Sequence, residues 1–215
     1  MNLKSILIPV VLLATGLVLG CSASSPKHSS SPQGAASPQA VVDELKDAAA
    51  KNDIAGIVNL LAPQDRPLMS FGMLIAGEMI VGMMEAFDGD KAATYKPRLE
   101  ALLKHHGLPS TAEQEKMGEL VKKPKNPKEA QAMARKLIGD IDHAAFCTDM
   151  QGFLDDLSEG DEGSKNGLSL DVKTLRLSGL VMDGDRARAK LGDKDVEFVR
   201  LDGGWFLHAD PSTLR

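Results

Sequence analysis

Twenty residues from Leu68 to Phe87 carry twelve large apolar side chains, five of them methionine, and only two charges, Glu78 and Glu85. On a helix these groups point almost all the way round, so a chain containing the segment has to surround it with other elements. Leaving them in water would forfeit ~1.5–3 kcal/mol for each large side chain. The longest uncharged run, Pro67 to Gly77, has 11 residues, below the ~18 that indicate a membrane span. The segment therefore reads as a buried central helix, with Gly72 and Ala76 admitting close neighbours and methionine filling irregular gaps. The alternative is one wall of a cavity for a lipid or another apolar ligand, lined by Met73, Glu78, Met83 and Glu85. Glu78 and Glu85, seven residues apart, fall on one line of the helix. That line is a solvent seam or, if it faces a cavity, an acid/base pair.

The elements available to surround this helix are helical before residue 160 and strand-like after it. Ser37-Pro38 makes an N-cap and first-turn pair, opening a helix with Val41, Val42, Leu45, Ala48 and Ala49 at helical spacing. Asp53 starts a second short helix with Ile54, Ile57, Val58, Leu60 and Leu61, closed by Pro63. Further helices are expected over Tyr95–Leu103, Thr111–Lys122, Asn126–Ile141 and His143–Leu157. Gly160, Gly163 and Gly167 end the helical signal. Val172, Leu175, Leu177, Leu180 and Val181 are then strand-compatible, and Asp183-Gly184, Gly192-Asp193 and Asp202-Gly203-Gly204 mark tight turns between alternating runs. The expected class is α+β: about six helices followed by a three- to four-stranded antiparallel meander, in a single domain over 39–215.

The first twenty residues form a separate signal. Lys4 is followed by an uncharged run from Ile6 to Leu19. Fourteen residues at ~1.5 Å each reach ~21 Å, short of a bilayer core of ~30 Å. The run reads as the apolar region of a signal peptide. It ends in Val18-Leu19-Gly20-Cys21 and resembles the lipobox of bacterial lipoproteins. That resemblance implies cleavage between Gly20 and Cys21 and diacylation of Cys21, with residues 1–20 removed. Ser22 rather than Asp after the cysteine implies the outer membrane, facing the periplasm, in an organism that has one. Residues 22–38 hold seven serines and three prolines with no large apolar side chain, so they suit a spacer better than a fold. With Cys21 lipidated, Cys147 is left without a disulfide partner.

The helix pair around Ser37-Pro38 to Ala62-Pro63, together with Val181 to Ala189 and Leu201 to Leu207, resembles the opening and closing segments of nuclear-transport-factor-2-like domains in bacterial lipoproteins. That resemblance implies a curved sheet wrapping helices into a cone whose mouth holds a small ligand. The helical stretch from about Gln64 to Glu159 would then be an insertion.

Composition excludes some functions. With 25 basic against 30 acidic residues and 4% aromatics, the chain lacks both the charge and the stacking surfaces that nucleic-acid binding needs. No nucleophile triad, phosphate loop, HExxH or EF-hand pattern is present. His105 and His106 are adjacent, do not face one way on a helix, and suit a helix C-terminus. His143 and Cys147, four apart, could share a soft metal but lack a third ligand in sequence. His208 near the chain's end has no placed partner. No cofactor or metal and no catalytic residue is assigned. The expectation is a non-enzymatic, membrane-tethered envelope lipoprotein that binds a protein partner or a small apolar ligand. The alternatives are an envelope enzyme using Glu78, Glu85 or His208 in a cone-shaped cavity, and a purely structural envelope protein.

Overall fold

In the computed structural model, residues 34–113, 127–158 and 176–208 are described. The signal segment, most of the spacer, the Thr111 helix beyond Glu113 and the Gly160–Gly167 break lie outside them, as do Val172 and Leu175. Six α-helices are present among the described residues: α1 (Pro38–Ala50), α2 (Ile54–Leu60), α3 (Arg66–Phe87), α4 (Gly89–His105), α5 (Pro127–Ile138) and α6 (His143–Ser158). A 3₁₀ turn, Pro63–Asp65, precedes α3. The strands β1 (Leu177–Asp183), β2 (Arg186–Leu191), β3 (Lys194–Leu201) and β4 (Gly204–His208) form one antiparallel sheet in sequential order. The α+β class and the four-stranded meander follow the expectation. The described residues divide into two compact units, a sheet unit (34–66 with 176–208) and a helical unit (67–158).

The sheet unit begins at a cap. Ser37 Oγ accepts the Ala40 N–H at 3.1 Å and Pro38 opens α1, an arrangement worth ~1 kcal/mol. Burial contributes more, because Val41, Val42, Leu45, Ala48 and Ala49 all face inward. Asn52, at φ 53°, reverses the chain, and Asp53 Oδ1 caps α2 by accepting the Gly56 N–H at 2.8 Å. The hairpin turns use left-handed residues: Gly184, Gly192, and the pair Asp202 and Gly203. The register places Ala187, Phe198 and Leu207 side by side, and Val199 beside Phe206. β2 alternates exposed and buried residues, whereas Gly204 to Leu207 are all buried.

The outer edge of β4 is covered by two segments from the start of the chain. Ala35 and Trp205 exchange backbone hydrogen bonds at 2.8 and 2.9 Å, and the Ala62 N–H donates to Leu207 O at 2.8 Å. Ala62 also packs with Val199 and Phe206, with Leu201 alongside. Among the described residues no strand pairs with the opposite edge, β1, and its pairing with β2 is irregular between Ser178 and Val181.

In the helical unit, α3 supplies one wall. Met69, Met73, Leu74 and Val81 are buried, as are Leu99 and Leu103 of α4, Ala134 and Ile138 of α5, and Phe146, Cys147, Met150 and Phe153 of α6. Gly77 is the point of close approach: a methyl group there would meet Met150 Cε at 2.6 Å, with Leu99 and Phe153 nearby. α4 starts at Gly89, not Tyr95, because Asp88 accepts the Lys91 N–H and fixes the first turn. α5 stops at Ile138, not Ile141, because Gly139 takes φ 63° and its N–H returns to Arg135 O.

Candidate functional site

The sequence expectation of a fully buried α3 holds for its first half only. Met79 is 54% exposed, Met83 55% and Phe87 86%, although Met73 on the same helix is 1% exposed. Met79, Met83 and Phe87 are four residues apart in turn, so they form a straight ridge on one face. Gly82 and Ala86 beside them are also exposed. By length and apolar composition the segment Pro63–Phe87 is able to cross a membrane, so the uncharged-run criterion understated it. Within the helical unit, however, its first half is packed by protein.

The four residues expected to line a cavity differ in their surroundings. Met73 is in the core, Met83 is on the exposed ridge and Glu78 is half-buried. Glu85 is half-exposed and accepts a hydrogen bond from Lys96 Nζ at 2.6 Å. A cleft of about 330 Å³ is lined by Glu100, Ala101, Lys104, Leu108, Ser110 and Glu113, none of them on α3. Around the far end of α3 the acidic groups Glu78, Glu85, Asp88 and Asp90 outnumber Lys91 and Lys96, and the pairs Lys91–Asp88 (3.8 Å) and Lys96–Glu85 are exposed.

Three polar clusters among the described residues contain histidine. His143 and Cys147 are neighbours on α6, but the buried Ser70 of α3 stands against both, its Oγ 3.0 Å from His143 Nδ1 and 3.4 Å from Cys147 Sγ. Burial pushes the Cys147 thiol up to about 12, against a smaller downward pull from Ser70. A thiol held protonated is a poor ligand and a poor nucleophile. Burial likewise closes the Ser70 hydroxyl off from a substrate.

The second cluster lies where α4 ends. His106 Nε2 is 2.9 Å from Asp149 Oδ2 of α6, and its ring stands edge-on to both Phe146 and His105. The expectation that His105 and His106 point apart assumes a continuing helix. His106 is instead the C-cap, with φ −91° and ψ 6°.

The third cluster belongs to the sheet unit. His208 Nδ1 lies 2.6 Å from the buried Asp65 Oδ2. On the adjacent strand its register partner is the buried Glu197, which accepts a hydrogen bond from Arg186 at 3.4 Å. Sequence reasoning left His208 without a partner because Asp65 is 143 positions away.

Searches against protein-family models, curated proteins and solved structures give no match for this chain. Its functional reading rests on its own residues.

Proposed function

We propose that the protein is a non-enzymatic lipoprotein of the bacterial cell envelope, tethered through acylated Cys21, whose helical unit docks a partner protein on the Met79–Met83–Phe87 ridge. The observation that carries the docking half is the exposure of these three side chains in line. An unpacked apolar row forfeits burial energy unless something covers it. Methionine suits such a face because its unbranched chain adapts to the surface it meets. The surplus of carboxylates around the ridge favours a partner with an apolar groove and a basic rim over an anionic headgroup layer. No residue of α3 lines the cleft at Glu100, Lys104 and Leu108, so the docking reading rests on the ridge alone.

The tethering half rests on the Leu19-Gly20-Cys21 signal and the Ser/Pro-rich spacer. The Ser/Pro-rich stretch ahead of the described residues, 22–33, has a composition whose mean reach as a linker is roughly 17–21 Å, enough to hold the folded part near the bilayer without inserting it. The sheet unit, drawn from 34–66 and 176–208 with the helical unit between them in sequence, supports the reading of a nuclear-transport-factor-2-like domain carrying a helical insertion.

A photo-crosslinking residue placed at Met83 or Phe87 of the full chain tests the docking surface in the cell envelope. The expected result is one discrete protein adduct shared by both positions, absent from a control position at exposed Lys104 and lost when Met79 is also changed to Ser. Adducts to lipid, adducts between two copies of this chain, or a pattern identical to the control would overturn the partner-protein reading.

A further inference from the structure

We propose that His105, His106 and Asp149 form a site for one divalent transition-metal ion of the zinc class. The donor atoms of the three side chains all lie within 4.8 Å of one another. Two ligands on a tetrahedral zinc ion, each at ~2.0–2.1 Å, stand ~3.3 Å apart. The His106–Asp149 pair, at 2.9 Å, is already close to that spacing, and the His105 donor, within 4.8 Å of both, needs to close by no more than about 1.5 Å.

The elements around the cluster hold it in place. His106 is fixed on two sides, by the edge of Phe146 at 5.3 Å between ring centres and by His105 at 4.9 Å, and its side chain is 7% exposed. Phe146 and Asp149 are three apart on α6 and so share a face. The same helix therefore supplies both the ring that positions His106 and the carboxylate that faces it. The C-terminal end of α4 carries the negative end of the helix dipole, which favours a cation there. Lys104 opposes it, but its flexible chain is exposed.

Donor chemistry sets the class of ion. Two imidazoles and one carboxylate suit a borderline ion such as Zn²⁺. Calcium and magnesium require more oxygen ligands, and Cu(I) prefers sulfur. In the metal-bound form His106 is neutral, with its proton on Nδ1: the Nε2–H that donates to Asp149 in the metal-free chain is given up to solvent, and the freed lone pair is directed at the ion. His105 and Asp149 are exposed, so solvent supplies the fourth ligand.

The competing explanation is that His106 and Asp149 only tie α4 to α6, with His105 an incidental neighbour. Calorimetric titration of the chelator-stripped full chain with ZnCl₂, and of the His105→Ala and Asp149→Asn variants, separates the two. The expected result is one Zn²⁺ per chain, with affinity falling at least tenfold in each variant while circular dichroism is unchanged. A His143→Ala variant should bind like the parent. Cobalt substitution should give ligand-field bands without thiolate charge transfer. No saturable binding, binding unaltered by His105→Ala and Asp149→Asn, or a thiolate band from Cys147 would overturn the proposal.

Discussion

Asp65 and His208 face each other at 2.6 Å across 143 residues of sequence, and they join the turn before α3 to the last residue of β4. The Asp65 side chain is fully buried, whereas that of His208 is part-buried, so the contact matters more for the buried carboxylate its loss would leave than for its net attraction. His208→Ala should leave a buried carboxylate short of a donor and destabilise the sheet unit by about 1–3 kcal/mol. Urea unfolding followed through Trp205 fluorescence measures it. An unchanged midpoint would show the contact to be dispensable.

Two glycines should respond differently to the same added methyl. At Gly204 the methyl would meet the Gly34 backbone at 2.5 Å, whereas at Gly77 it meets the mobile end of Met150 at 2.6 Å. Backbone does not yield as a methionine tip does. Gly204→Ala should therefore cost about 1–3 kcal/mol. At Gly77 the ~1 kcal/mol gain in helix propensity offsets much of the strain. Chemical denaturation of the two variants should rank Gly204→Ala clearly below Gly77→Ala; the reverse order would contradict the packing described.

Cys147 should behave as a protected thiol. Its pKa is raised from an ordinary 9 to about 12 by burial, so the folded state holds a proton that the unfolded state releases. The contribution to stability is complete below pH 9 and is lost as the pH rises from about 9 to about 12. The parent should lose stability across that window faster than Cys147→Ala. A disulfide-exchange reagent should label Cys147 at pH 8 only after denaturant is added. Immediate labelling of the native chain would contradict the burial.

Local signals in the sequence are legible where their partners are close by. The Ser37 and Asp53 caps and the Asp183-Gly184, Gly192-Asp193 and Asp202-Gly203 turns each depend on a few consecutive residues, and each stands where the pattern puts it. The exposure of Met79, Met83 and Phe87 was not legible, because an apolar helix does not say where its neighbours run out. The Asp65–His208 contact and the placement of Ser70 between His143 and Cys147 depend on distant elements and left no periodic trace. The His105–His106–Asp149 cluster depends on the one position where α4 stops being a helix.

The ridge of α3 should be a determinant of association and not of folding. Replacing Met83 and Phe87 together by Ser removes apolar surface that is mostly in water at Phe87 and about half in water at Met83, so stability should change by less than about 1 kcal/mol. Apolar-dye binding to the native protein should fall. A large loss of stability would show that these side chains are packed in solution and leave the docking face without its basis.

The tethering claim is tested most directly by intact-mass analysis of the mature protein recovered from membranes. The chain should begin at Cys21 and carry the added mass of acyl chains, and a Cys21→Ala chain should lose that mass and leave the membrane fraction. An unmodified mature N-terminus, or a Cys21→Ala protein that stays with membranes after a high-salt wash, would contradict the account.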